Sequence, residues 1–330
     1  MSYKKLFEQW NSVNDMEAVW KDDLKLLAAD EKRQEDAFYR DLEFGTGGMR
    51  GEIGAGTNRI NNYTVRKATT GLAEYIKAAG KDAMNRGVVI AYDSRRFSPE
   101  FAQEAAKTLA AASIKAYLYR DPRTTPQLSF SVRKLNAYMG IVITASHNPP
   151  EYNGYKVYGQ DGAQLNLQDA DTVIEYVKKA GDALSIKNNE MDEDLIVYLD
   201  ESMDSSYIDA LKTVQENPEL ALKTDLKVVF TPLHGASGKT TKRILTEAGY
   251  QHIFYVDEQM EPNGEFPTVA SPNPEEESAF EYAIRYGEQH EADILIAVDP
   301  DGDRVGAAVK TKNGYKLLTG NQTGAILIEY

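Results

Sequence analysis

Thr144-Ala145-Ser146-His147-Asn148, set between the apolar run Met139-Gly140-Ile141-Val142-Ile143 and the pair Pro149-Pro150, decides how this chain is read. The run is short, apolar and rich in β-branched residues, which predicts a buried strand. The Asn-Pro and Pro-Pro steps then forbid a smooth passage into helix. A serine is therefore displayed on a tight loop at the carboxyl end of a buried strand, where open α/β sheets bind their ligands. His147 stands beside it, and Lys156 follows in Tyr152-Asn153-Gly154-Tyr155-Lys156. A hydroxyl, an imidazole and an amine so close together suggest chemistry. From the turn alone, a polar loop that happens to hold a serine is an equal reading.

On the N-terminal side the sequence predicts strands at 87–92 and 114–119, with helices at 101–113 and 127–135 between them and the serine strand. That is strand–helix–strand–helix–strand, the alternation of a parallel sheet. The first of these strands ends in Asp93-Ser94-Arg95-Arg96. Residues 62–80 predict a helix. Residues 3–42 predict mostly helix, capped by Asp15, a surface segment packed on one side through Val19, Trp20, Leu24, Leu27, Ala37, Phe38 and Leu42. Between the two lies Phe44-Gly45-Thr46-Gly47-Gly48-Met49-Arg50-Gly51. Glycines let backbone N–H groups converge on an anion, and an arginine can fork onto phosphate. A flexible linker is the plainer alternative, and the spacing fits neither a dinucleotide fingerprint nor a Walker A loop.

On the C-terminal side, residues 154–199 read as a turn-rich stretch with a helix at 169–179 and a polar loop at 188–194. After a helix at 205–217 the earlier order begins again. A strand at 227–230 ends in Thr231-Pro232-Leu233-His234-Gly235-Ala236-Ser237-Gly238. A helix at 239–248, a strand at 253–256, a proline-rich link, a helix at 274–289 and a strand at 293–298 follow. The chain thus reads as two structurally similar α/β domains. The counterpart of the serine loop is Asp299-Pro300-Asp301-Gly302-Asp303-Arg304. Alternating carboxylates on a turn can converge on one hard cation, Mg²⁺ or Ca²⁺. An acidic surface turn is the bland alternative, but like charges this close repel unless a cation offsets them. An EF-hand does not fit, because its glycine would fall at Arg304. The stretch from Gly235 to Thr240 misses a Walker A loop, with Leu233 where a glycine is needed, and reads as a turn into a helix. His234 is either a structural histidine or a supporting group of the site.

The bulk numbers narrow the function. The chain has 330 residues, a net charge of −14 and a pI near 4.9. That balance argues against a nucleic-acid or anionic-membrane partner, yet a few local Arg and Lys can still bind a phosphate. With no cysteine, disulfide scaffolds, thiolate zinc sites and cysteine nucleophiles are excluded, and a reducing cytoplasm fits. Apolar runs are far shorter than a membrane span, and no signal peptide is expected.

The stretches Gly140 to Pro149 and Tyr152 to Lys156 resemble the active-site serine loop of the α-D-phosphohexomutases. Asp299 to Arg304 resembles that family's metal loop, Gly45 to Gly51 its N-terminal arginine loop, and Tyr92-Asp93-Ser94-Arg95 a further family motif. The helical segment before the glycine loop is similar to the bacterial phosphoglucomutase and phosphopentomutase branch. The resemblance implies two similar three-layer α/β domains with mostly parallel mixed sheets. Its divisions would be a helical extension (1–43), a phosphoserine domain (44–200), a metal-binding domain (201–312) and the start of a truncated third domain (313–330). It implies that Ser146 carries a phosphoryl group and that Asp299, Asp301 and Asp303 hold Mg²⁺, with Ser146 completing the metal site. His147 and Lys156 would serve proton transfer. Arg50, Arg304 and Lys156 would stabilise the transferring phosphoryl, and Thr46, Gly47, Arg50, Arg95 and Lys156 would bind phosphate.

The implied reaction interconverts glucose 1-phosphate and glucose 6-phosphate through glucose 1,6-bisphosphate, with mannose and pentose phosphates as alternatives. The family's third and fourth domains supply the sugar- and phosphate-binding loops. The expectation is therefore a fragment with negligible turnover of its own. Two rivals are weighed. The segment 294–303 also resembles the first motif of haloacid-dehalogenase-type phosphatases, with Asp299 as nucleophile and Asp301 as acid/base. The other rival is an inert regulatory module that keeps the fold.

Overall fold

The structure, a computed structural model, describes residues 2–45 and 47–330. The N-terminal segment is three helices: α1 (Tyr3–Asn11), α2 (Ala18–Ala28) and α3 (Glu31–Phe38). Asp15 caps none of them. The residue preceding α2 is Glu17, whose carboxylate accepts hydrogen bonds from Asn62 and Tyr63 instead. Asp30 breaks the chain again and caps α3 by accepting from the Arg33 N–H at 3.1 Å. The segment is anchored by more than one apolar side: Trp10, Leu24 and Phe38 are buried, and Trp10 meets the rings of Phe38 and Tyr63 edge-on. Val19 and Leu42, expected on the packed side, are exposed and half-buried.

The first sheet comprises β1 (Met49–Glu52), β2 (Val88–Tyr92), β3 (Ala116–Tyr119), β4 (Met139–Ile143), β5 (Tyr152–Tyr158) and β6 (Ile196–Leu199). Its order is β1-β5-β4-β2-β3-β6. β2, β3, β4 and β6 run parallel, and β5 is antiparallel to both β4 and β1. Its helices are α4 (Asn62–Ala79), α5 (Lys81–Arg86), α6 (Ser98–Ala111), α7 (Thr125–Lys134), α8 (Leu167–Lys179) and α9 (Glu201–Lys212). Every residue of β2 and β4 is buried, as expected when helices cover both faces of a parallel sheet. Successive residues of β2 serve opposite faces. Val88 and Ile90 join a core with Leu72, Ile76 and Leu109, while Val89 and Ala91 join another with Leu128, Val132 and Met203. The result is three layers.

The second sheet comprises β7 (Val228–Thr231), β8 (Ile253–Tyr255), β9 (Ile294–Val298), β10 (Val305–Thr311) and β11 (Gly314–Leu317), in the order β11-β10-β9-β7-β8. β7, β8 and β9 are parallel, and β10 and β11 form an antiparallel extension. The remaining helices are α10 (Pro218–Ala221), α11 (Gly238–Glu247), α12 (Asp257–Met260), α13 (Glu281–His290) and α14 (Gly320–Glu329). Leu295 and Ala297 of β9 pack with Phe280 and Ala283 in the core of this half. Strand order β5-β4-β2-β3 in one sheet and β10-β9-β7-β8 in the other are equivalent, with the same directions. The repeated order of elements read from the sequence is a repeated topology.

The sequence does not predict β1, β5, β6, β10 and β11 as strands, and two of them are instructive. β5 occupies what looked like a turn, because Asn153 and Gly154 are turn formers in sequence. Gly154 is there for another reason: a Cβ would lie 2.3 Å from the Thr144 carbonyl oxygen. β11 pairs with β10 through Ala308 and Leu317. Residues 314–317, expected to open a third domain, therefore extend the second sheet.

The topology places the loops. β2 lies between β4 and β3, and β7 between β9 and β8, so the chain crosses from each central strand to one side and then back past it to the other. Such a switch point opens a crevice at the carboxyl ends of the strands. Among the described residues, no helix is long and apolar enough to cross a membrane.

Candidate active site between the two sheets

Ser146 follows β4 with φ +54°, the left-handed region that an L-residue disfavours. Thr144 helps hold it there: its hydroxyl oxygen accepts from the Ser146 N–H at 2.8 Å and donates to Asp93 at 2.6 Å. The Ser146 hydroxyl crosses to the other sheet and donates to the Asp299 carboxylate at 2.6 Å. His147 Nδ1 lies 3.3 Å from the same hydroxyl. Burial, then the charges of Arg304 and Arg50, hold the His147 pKa below its ordinary value, which favours the uncharged ring.

The acidic loop follows β9. Its turn is closed by the Gly302 N–H donating to the Asp299 carbonyl, with Gly302 at φ +69°. Asp299 also accepts from the Arg304 N–H at 2.9 Å. Asp299 and Asp301 are buried and Asp303 is exposed. One carboxylate oxygen from each lies within 4.8 Å of the others. Burial, reinforced by the neighbouring Asp301 and Asp303 charges, pushes Asp299 up to about 8. Burial acts the same way on Asp301, but Lys156 overrides it and the net shift is downward.

Lys156 arrives from β5, placed opposite Val142 of β4. Its ammonium lies 2.8 Å from Asp301 and 3.3 Å from Asp303. Those two charges override the burial that would lower its pKa and raise it instead. Arg50 stands on β1 opposite Gly154 and donates to the Asn148 side chain at 2.8 Å. A cavity of about 330 Å³ is lined by Gly47, Arg50, Ser146, Lys156, Asp303 and Arg304, among others. The structure thus gathers Ser146, His147, Lys156, Gly47, Arg50, Arg304 and the three aspartates. Thr46 lies outside the described residues.

Arg95 is the exception. Its side chain is fully buried. It donates to the main-chain carbonyls of Ser146 at 2.6 Å, Pro149 at 2.8 Å and Tyr152 at 3.0 Å, and to that of Asn148. A guanidinium so committed has no face to offer a phosphate, so the expectation that Arg95 binds phosphate is corrected. The cause lies in a burial that residue type does not reveal. His234 is structural: it is buried, and its ring meets the Thr268 hydroxyl at 2.9 Å.

Two site residues were not found by sequence reasoning. Thr125, at the start of α7, donates its N–H to the Asp301 carbonyl at 2.8 Å and its hydroxyl to the carboxylate at 2.9 Å. Thr124-Thr125-Pro126 signals a helix start, but no local signal reports a partner so far along the chain. Gln164 lines the cavity and donates to the Gly47 carbonyl at 3.0 Å.

The donor set fits a hard divalent cation. Three carboxylates converge, and Asp301 Oδ1 is buried without a partner among the described residues. A buried carboxylate oxygen left unpaired is costly. All-oxygen ligation is the chemistry of Mg²⁺ and Ca²⁺.

Comparison with known proteins identifies the family. Residues 41–183 match phosphoglucomutase/phosphomannomutase alpha/beta/alpha domain I, and residues 205–314 match domain II of the same family. A phosphoglucomutase of Staphylococcus epidermidis is 40% identical over 322 residues, covering 97% of this chain and 58% of the relative. One from Staphylococcus aureus (strain N315) is 41% identical over 298 residues, covering 90% and 53%. The chain therefore spans little more than half the length of these curated relatives. A crystal structure from Thermus thermophilus superposes with a TM-score of 0.69 at 26% identity, covering 82% of this chain and 57% of that one. A phosphoglucomutase/phosphomannomutase family protein from Burkholderia thailandensis shares the fold (TM-score 0.64, 23% identity, covering 82% and 54%).

Proposed function

The chain belongs to the phosphoglucomutase/phosphomannomutase family, and we propose that it carries the phosphoryl-transfer centre of a phosphoglucomutase. In this reading, Ser146 takes a phosphoryl group and exchanges it with a sugar phosphate. Glucose 1-phosphate and glucose 6-phosphate interconvert through glucose 1,6-bisphosphate. The observation that carries the reading is the 2.6 Å contact between the Ser146 hydroxyl and Asp299. The hydroxyl, which is the acceptor oxygen in this reading, thereby meets a three-carboxylate cluster from the other sheet.

Each residue has a role that its surroundings support. Asp299, Asp301 and Asp303 would hold Mg²⁺, together with an oxygen on Ser146. When bound, the cation screens the phosphoryl charge and orients the group. His147, 3.3 Å away and shifted toward its uncharged, proton-accepting form, accepts the proton that the Ser146 hydroxyl loses. Lys156 stays charged, because Asp301 and Asp303 hold it so, and it steadies the transferring group. Arg50 and Arg304 line the same cavity and spread their donors over the phosphoryl oxygens. Phosphoryl transfer asks for such electrostatic clamps more than for covalent help. Gly47 offers its backbone N–H to the sugar's phosphate. The preference for glucose rests on the relatives' names.

The test is phosphoryl uptake. Incubated with glucose 1,6-bisphosphate and Mg²⁺, the chain gains one phosphoryl group in the intact mass, and peptide mapping places it on Ser146. Ser146→Ala gains none. Uptake on another residue, or uptake indifferent to Ser146→Ala, contradicts the reading and is the outcome that an aspartyl phosphatase would give.

A further inference from the structure

Arg95 performs no step in the scheme above, yet its environment is among the most specified in the molecule. One guanidinium fastens the carbonyls of Ser146, Asn148, Pro149 and Tyr152, so the whole serine loop hangs from it. Beneath it, Asp93 is fully buried and pairs with Arg95 Nε at 3.3 Å. The same carboxylate accepts from the Arg95 N–H, Ser98 and Thr144, and Thr144 in turn accepts from the Ser146 N–H. Above it lies a residue of the other half. Phe266 is buried and its ring centroid is 5.1 Å from the guanidinium carbon. The segment carrying Phe266 is in close contact: a Cβ on Gly264 would lie 2.6 Å from Arg96 N and 2.8 Å from Ser94 O. Phe266 itself has φ +46°, so both Ser146 and Phe266 hold disfavoured backbone on either side of Arg95. Such conformations persist only where the surroundings over-determine them.

We propose that Arg95, between Asp93 and Phe266, is a positioning residue for the phosphoryl-transfer centre. It holds Ser146 in its left-handed conformation and ties that loop to the half of the molecule bearing Asp299, Asp301 and Asp303. The planar fork is essential, since a lysine presents its donors from one point and cannot span the loop. The proposal rests on the reading of Ser146 as the phosphoryl carrier, but its structural part can be measured without that chemistry.

The experiment compares the parent chain with Arg95→Lys and the milder Phe266→Leu. Circular dichroism checks the fold, and Mn²⁺ titration checks the acidic loop. Phosphoryl uptake is measured at saturating glucose 1,6-bisphosphate, and amide hydrogen exchange over the whole chain. For Arg95→Lys, the fold and the Mn²⁺ affinity are expected to be retained. Uptake is expected to slow about a hundredfold, the scale on which small misplacements cost rate. Exchange quickens over 144–152 and over 263–269 and not in β7 or β9. Phe266→Leu gives the same pattern with a smaller loss. Three results overturn the proposal: parental uptake in Arg95→Lys, exchange quickened evenly through both sheets, or exchange unchanged over 263–269. A parent chain that takes up no phosphoryl group overturns the mutase reading instead, and the exchange pattern then decides the positioning role.

Discussion

At the residue scale, the site is a cluster of three carboxylates whose oxygens fit a hard cation. Asp299 reaches about 8 because burial and two neighbouring carboxylates oppose its ionisation. A divalent ion must displace that proton before Asp299 can act as a ligand. Metal affinity is therefore predicted to rise with pH and level off above about 8. Proton release falls to zero over the same range, which calorimetry in buffers of different ionisation enthalpy measures. Asp301→Asn is expected to abolish binding, since it removes a buried ligand that also holds Lys156. Most of this constellation was legible in the sequence, because Ser146 and the three aspartates each sit on a loop after an apolar run. Arg95 was misassigned for a plain reason. Its residue type announces a cation, but only the folded chain shows its donors turned inward to carbonyls.

At the scale of elements, strands and helices with strong periodicity were legible, and those made by tertiary approach were not. β5 was missed because its glycine serves a close backbone contact and not a turn. Gly154→Ala is predicted to push β5 from β4, destabilising the fold by about 1–3 kcal/mol and displacing Lys156. Chemical denaturation and metal titration read the two effects. The junction between α9, α7 and the segment after β3 gives a second prediction. Arg123 donates to both Asp204 oxygens, at 2.8 and 2.7 Å, and Gln127 adds a third bond at 2.6 Å. Arg123→Ala strands a buried carboxylate, at a cost of about 3–5 kcal/mol. Burial raises the Asp204 pKa, but Arg123 more than offsets it, and the folded value lies below the ordinary one. That stabilisation is present above the ordinary Asp pKa of about 3.9 and is lost as pH falls through the folded value. The penalty in urea melts should thus be largest near neutrality and shrink in acid.

At the scale of the whole molecule, a repeated topology turns two ordinary crevices into one site. The equivalent switch points of the two sheets face each other, one offering a hydroxyl and the other three carboxylates. The repeat was visible as an order of elements, and the family resemblance implied that Ser146 meets the three aspartates; the Thr125–Asp301 contact was not legible, because it joins distant parts of the chain. In the proposed centre a phosphoryl group on Ser146 and a cation at Asp299, Asp301 and Asp303 share one site. Phosphorus NMR of the phosphorylated chain during Mn²⁺ titration tests it most directly. The expected result is a phosphoserine line that broadens away at stoichiometric Mn²⁺ and stays sharp in Asp301→Asn. A line from Ser146 that remains sharp in the parent chain while Mn²⁺ binds would contradict it.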